Sequence, residues 1–379
     1  MQRTPFARNT FSQNDTDRTH ISPLGAQQSL RSGELLSGRF RVEHLAAVGA
    51  QAQVFRAYDT LRQRRVALKL ETQRAGSARR FRDEAQALSQ SASPWLVGYV
   101  DRGVTAAGQA FLVLDWVEGP TLAHRLARAG LRPLEALELC RRLGLGLAAM
   151  HARGIVHRDL KPANIMLAGA RSSAPKIVDL GVARLSDMAA KDGARDTYVG
   201  TPRYMSPEQI RDPHQVDGRA DVFALGSILF ECLTGTAAFV ASEIPGVLAQ
   251  ILFEPTPTAR SRRPELPGAI DVLLARLLAP SPTQRPRAGA ELAAQFARAR
   301  AACGSQLAEL SAAKRQPLDT SAETALCWCD ASEWRASRGH VGRPTVRPEL
   351  GPSTGARCGS GPSMGPLSAA SPSTQCVAG

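Results

Sequence analysis

"HRDLKPANIM", residues 157–166, brings His157, Arg158, Asp159, Lys161 and Asn164 together and then turns apolar at Ile165. Its meaning depends on a second stretch, "KIVDLG", residues 176–181, which carries Asp179. The short apolar runs "IML" and "KIV" predict a hairpin that returns Asp179 beside Asn164. Two oxygen ligands would then face one cation. Magnesium suits them, because it takes hard oxygen ligands, usually one or two from protein and the rest from water and phosphate. Asp159 stays clear of the metal and is placed to accept a proton, a role that contributes roughly 10²- to 10⁴-fold to a rate. Lys161 is placed to neutralise charge that builds on a transferred group.

Upstream the pattern is mostly strand. The runs "RFRVEHLAAV", "QVFRAYD" and "RRVALKLE", between residues 39 and 71, predict an antiparallel meander. "SARRFRDEAQALSQ" spaces Phe81, Ala85 and Leu88 by four and three, which makes a helical face. "QAFLVLDWV" predicts another buried strand. Beyond Gly119 the chain turns helical, and "LEALELCRRLGLGLAAMHARG" keeps Cys140, Leu143, Leu147 and Met150 on one side. Cys140 therefore belongs to a core rather than to chemistry. The expected class is α+β, a small β-rich lobe with one key helix ahead of a larger, mainly α-helical lobe.

Composition narrows the function. The chain has 379 residues, 43% hydrophobic and 21% charged, enough for one large two-lobed domain. Its net charge of +13, from 47 basic and 34 acidic residues, favours an anionic partner. Nucleic acid is not the expected one, because aromatics are only 5% and interleave with no basic run. Seven cysteines without framework spacing argue for a reducing compartment, and Cys327 and Cys329 lack a second pair at ligand spacing. No secretory signal opens the chain. The apolar run "VFALGSILFECLTG" is too short for a membrane span and holds Glu231, so a cytoplasmic location is expected. Residues 1–35 are expected to form a disordered arm and 36–300 the folded domain, divided near 117 and 118. The Gly/Pro/Ser-rich stretch 301–379 is expected to be a disordered tail.

Taken together and in order, these motifs resemble a bacterial eukaryotic-type (Hanks-type) serine/threonine protein kinase. The resemblance covers the patterned region and implies the two-lobed kinase fold. Lys69 of "VALK" resembles the lysine that holds the α- and β-phosphates of ATP, and Glu84 of "FRDEAQAL" the helix glutamate that pairs with it. By the same resemblance Asp159 and Lys161 are catalytic, while Asn164 and Asp179 hold Mg2+, or Mn2+ in its place. Val48, Gly49, Val54, Ala67, Leu114, Met166 and the backbone of Asp115 and Val117 would surround the nucleotide. Arg158 would bind a phosphate on the activation segment, with Thr197 as the first acceptor and Thr201 in a structural role. Glu208 of "SPE" would pair with Arg285, and Asp221 would brace the catalytic loop from below. The implied partners are proteins with Ser or Thr acceptors, and a second copy of the chain for autophosphorylation.

The glycine loop departs from the family. Aligned on Val54, the pattern GxGxxGxV falls on Ala47, Gly49, Ala52 and Val54, so only the middle glycine survives. Alanine restricts positive φ, at about 1 kcal/mol where a turn needs it, so weaker or slower ATP use is expected. Leu180 replaces the usual Phe after Asp179 and should keep an apolar plug beside Leu88 and His157. Two functions follow. The first is an active kinase acting on Ser and Thr of proteins, itself included. The alternative is a pseudokinase or weakly active kinase that works as a docking module because its glycine loop is altered.

Overall fold

Six strands build the small lobe of the computed structural model, which describes residues 30–49, 52–72, 77–179 and 202–312. They are β1 (Leu35–Leu36), β2 (Phe40–Val48), β3 (Ala52–Asp59), β4 (Arg64–Glu71), β5 (Tyr99–Val104) and β6 (Ala110–Asp115). All pair antiparallel, in the order β1-β2-β3-β4-β6-β5. Side chains alternate between faces along a strand. In β4, Val66, Leu68 and Leu70 therefore enter one core with Phe40, Val42, Phe55, Phe111 and Val113. Ala67 enters the other, with Phe81, Ala85 and Leu88 of α1 (Ser77–Gln90). Lys69 shares Ala67's face by the same alternation, which directs it toward α1.

The large lobe follows. Thr121 caps α2 (Leu122–Ala129) by accepting the His124 amide at 3.1 Å. Pro133 opens α3 (Pro133–His151), and Glu135 accepts the Arg132 amide at 3.0 Å. Cys140, Leu143, Leu147 and Met150 are fully buried, on the face their spacing predicts. The hairpin of β7 (Ile165–Leu167) and β8 (Pro175–Ile177) pairs Ile165 with Ile177. After α4 (Pro207–Arg211), helix α5 (Arg219–Thr234) is buried without interruption from Ala220 to Phe230, as the central core helix of a lobe must be. Helices α6 (Ile244–Phe253), α7 (Gly268–Leu277) and α8 (Ala290–Ala312) complete it. The loop after α1 is stitched to β8, with Ile177 donating to Trp95 and receiving from Val97 at 2.8 and 2.9 Å. Small-lobe and large-lobe backbones are thereby joined behind the cleft.

Both expected boundaries move. At the start, Gly33 donates to Val42 at 2.8 Å and Leu30 packs on the small-lobe core, so ordered contacts begin before residue 36. At the end, α8 continues to Ala312 with Cys303 and Leu307 buried, well into the tail expected from 301. Small residues in "ARARAACGSQLAELSA" dilute the apolar signal, and burial of only a few side chains carries the helix on. Among the described residues no helix is long and apolar enough to cross a membrane.

Candidate active site

Lys69 stands where three elements meet. From β4 its Nζ donates to both carboxylate oxygens of Glu84 in α1, at 3.0 and 2.9 Å, and to Asp179 beyond β8 at 2.5 Å. Burial lowers the lysine's affinity for its proton, but Asp179 and Glu84 override this and raise it. Burial likewise pushes the Asp179 carboxyl up, and Lys69 beside it wins and holds it below its ordinary value. A charged triad results, with the Phe81 ring 5.6 Å from the ammonium.

The catalytic loop is wired to the core helix. Asp221, at 1% exposure, accepts the amides of His157 and Arg158 at 2.9 and 2.8 Å and the His151 ring at 2.7 Å. Burial raises the Asp221 pKa, and the His151 hydrogen bond outweighs this, so the carboxylate stays ionised. His157 is buried, which lowers its pKa and keeps it neutral, and its Nδ1 accepts the Asp159 amide at 3.2 Å. Asn164 Nδ2 donates to the Asp159 carbonyl at 2.8 Å and to its carboxylate at 3.3 Å, while Lys161 lies 3.2 Å from that carboxylate. The hairpin does return Asp179, since the Val178 amide donates to the Asn164 carbonyl at 2.9 Å. Arg158 and Asp179 both take left-handed φ, 66° and 60°. Such strain costs on the order of 1–3 kcal/mol each and survives only where surrounding bonds enforce it.

Around the cleft, Ala67 pairs with Leu114 and both are buried, as are Val54, Val117 and Met166. Met166 bridges to Thr121 at the head of α2. The Asp115 amide donates to Gly98 at 2.8 Å and its carboxylate meets Arg64 at 2.7 Å. Val48 is half exposed at the lip of the β2–β3 hairpin, and the Gly49 amide donates to Ala52 at 2.8 Å. Ala47 pairs with Val54 and Ala52 with Glu71, and neither has positive φ. The strain that these alanines were expected to impose is absent at both positions.

Further out, Arg285 grips Glu208 at 2.6 and 2.9 Å, and its remaining N–H groups reach the carbonyls of Ala279, Pro280 and Arg219. The Arg158 guanidinium donates to Pro213 and Val216 carbonyls, both at 3.3 Å. Leu180, Thr197 and Thr201 lie outside the described residues.

Sequence reasoning missed three contributors. His151, at the end of α3, bonds Asp221, and a Cβ at Gly218 would lie 2.5 Å from its ring. Gln209 donates to the Arg158 carbonyl at 2.9 Å, and Tyr204 donates to Glu231 at 2.6 Å. Only the partners reveal these roles. Glu231, conspicuous in an apolar run, was the one available signal.

Comparison with known proteins agrees with this geometry. Residues 40–297 match the protein kinase domain family. The chain is 35% identical over 286 residues to the DNA damage-responsive serine/threonine-protein kinase RqkA of Deinococcus radiodurans, covering 72% of this chain and 41% of that one. It is 34% identical to the serine/threonine-protein kinase PknB of Mycolicibacterium smegmatis, covering 69% and 43%. It is also 34% identical to the serine/threonine-protein kinase pkn3 of Myxococcus xanthus, covering 67% and 48%. The chain thus spans less than half the length of these relatives. A crystal structure of Rad53 in complex with AMP-PNP shares the fold, with TM-score 0.57 and 22% identity over 67% of this chain and 64% of that one. The fold and site define a protein kinase. The chain belongs to the protein kinase domain family, and its relatives are bacterial Hanks-type serine/threonine kinases.

Proposed function

We propose that this chain is an ATP-dependent protein kinase that phosphorylates serine and threonine hydroxyls of proteins. The observation that carries the reading is Lys69 bonded at once to Glu84 and Asp179, beside a catalytic loop already bonded to the core. Lys69, held charged, binds phosphate oxygens and is oriented by Glu84. Asn164 and Asp179 suit Mg2+ or Mn2+, because both offer hard oxygens and the Asn164 nitrogen is committed to Asp159, which leaves its oxygen for the cation. ATP with its metal supplies the transferable phosphoryl group and part of its charge neutralisation. Asp159 orients the acceptor hydroxyl and takes its proton, while Lys161 offsets negative charge beside it. Val54, Ala67 and Met166 form an apolar slot for the base, with the backbone of Asp115 and Val117 at its edge.

Protein acceptors, a second copy of the chain for autophosphorylation and a cytoplasmic site of action belong to the same proposal. Thr197 is the proposed acceptor on the activation segment, and its phosphate would draw Arg158 from two long bonds to backbone carbonyls into a charge-assisted one. The alternative, a pseudokinase or weakly active kinase working as a docking module, drew its support from Ala47 and Ala52; both occupy paired strand positions without positive φ, which favours the active reading. The test is incubation of residues 1–379 with magnesium and radiolabelled ATP, beside Asp159→Ala, followed by mass-spectrometric mapping. Label that appears only in the parent chain supports the proposal. No label in either, with a generic protein substrate present, rejects it.

A further inference from the structure

Helix α8 continues beyond residue 297, where the match to the kinase family ends. The extension is not a solvated appendage. Leu292, Phe296, Ala299, Cys303 and Leu307 are at most 5% exposed, and Leu310 packs on the same core. Successive steps of four, three, four, four and three place all of them on one side of the helix. That stripe crosses the end of the family match without a break.

Three neighbours give its direction. A Cβ at Gly289 would lie 3.5 Å from Ala148, one at Gly144 would lie 2.8 Å from Leu292, and Arg300 reaches Glu138 at 3.8 Å. As α8 ascends in number, α3 descends, so the two helices run antiparallel. Since α3 begins at Pro133 and both helices rise about 1.5 Å per residue, α8 draws level with that start near residue 305. Leu307 and Leu310 therefore lie past the end of α3, level with the turn 130–132 that joins it to α2. Leu131 in that turn and Leu126 in α2 are buried, at 5% and 1% exposure, and with Leu307 they belong to the one continuous core that fills the large lobe. Helix α2 in turn packs on the 3-10 turn Pro162–Asn164 and on β7, which carries Met166.

We propose that Leu307 and Leu310 are positioning residues for the nucleotide site. They wedge the α2–α3 turn from below and so hold α2 against the elements that carry Asn164 and Met166. The end of α8 is then a support for the cleft, and the working domain extends to residue 310 rather than 297. What the site binds rests on the kinase reading above, whereas the wedge itself does not.

The experiment uses the full chain with Leu307→Met, Leu307→Val and Leu307→Ala. The apparent KM for ATP and kcat are measured alongside amide exchange in peptides spanning 122–130 and 162–167. The expected KM is near the parent value for Met and rises about threefold for Val and about tenfold for Ala, with kcat within about twofold. Exchange should quicken in both peptides. If KM stays within about twofold through the Val variant and exchange quickens only in α8 and α3, the wedge is merely structural and the proposal falls. Should Leu307→Ala not fold, Val and Met decide. Should the parent chain transfer no phosphate, the kinase reading fails, and the exchange pattern alone then decides the wedge.

Discussion

Two hairpins frame the cleft, and they are secured differently. Among the described residues near the tip of the β2–β3 hairpin, the bonds shown are backbone ladder bonds: Ala47 faces Val54, Ala52 faces Glu71 and Gly49 donates to Ala52. The loop before β7, by contrast, is held by side chains from distant sequence: Asp221 takes two of its amides and Gln209 one of its carbonyls. Substitutions at the first are cheap because they fall on strand positions that any small residue can occupy. At the second, Arg158 already holds left-handed backbone, as does Asp179 just past β8, and each bond removed would free strain. A motif's erosion is better judged by the conformation at each position than by how many of its letters survive.

The contrast can be broken most forcefully at Asp159. Asp159→Asn should lower the rate of phosphate transfer roughly 10²- to 10⁴-fold, measured as initial rate with magnesium and ATP, and a change below tenfold would deny it the proton-accepting role. Next is Arg285→Ala, which leaves Glu208 facing buried carbonyls without its guanidinium. Loss of about 3 kcal/mol is expected in denaturant unfolding, as for other broken buried pairs.

The hairpin side is sharpened by pH. Asp59, at the far end of β3, is fully buried, and hydrogen bonding to Arg39 lowers its pKa from 3.8 to about 2 in spite of burial. Because the folded value is the lower one, the pair's stabilisation is complete above about 4 and is lost as pH falls toward 2. Integrated over that window it amounts to about 2 kcal/mol. Asp59→Asn should flatten that part of the stability curve, and an unchanged slope would count against the pair. The smallest effect belongs to Ala47→Gly with Ala52→Gly. The pair should shift KM for ATP by less than about threefold and cost about 1 kcal/mol of stability, since glycine in a strand is the looser residue. A gain in turnover of tenfold or more would instead show the alanines to be a brake.

Strand and helix periodicity made β2–β4, α1 and α3 readable, because alternate or three-and-four spacing of Val66, Leu68, Leu70 or Cys140, Leu143, Leu147 reports burial directly. The return of Asp179 beside Asn164 was readable too, since a short hairpin leaves little choice of register. Bonds between remote elements were not. Nothing local to His151 announces Asp221, and no spacing rule links Gln209 to the Arg158 carbonyl. The reach of α8 was hidden for another reason: alanines and a glycine between Ala299 and Leu307 look like linker composition while a few well-placed side chains do the burying.

Wiring to Asp221 also bears on where this chain can change length. Surface connections usually accept insertions. The turn at Thr105–Gly108 is of that kind, exposed at its tip and closed by its own backbone bonds to Gln109 and Thr105. Residues 157–164 are a connection by backbone shape only. With amides bonded to a core helix at one end and Asn164 bonded back to Asp159 at the other, one added residue would shift every partner out of register at once. Variation in loop length among descendants of this chain should therefore gather at 105–108 and leave 157–164 untouched.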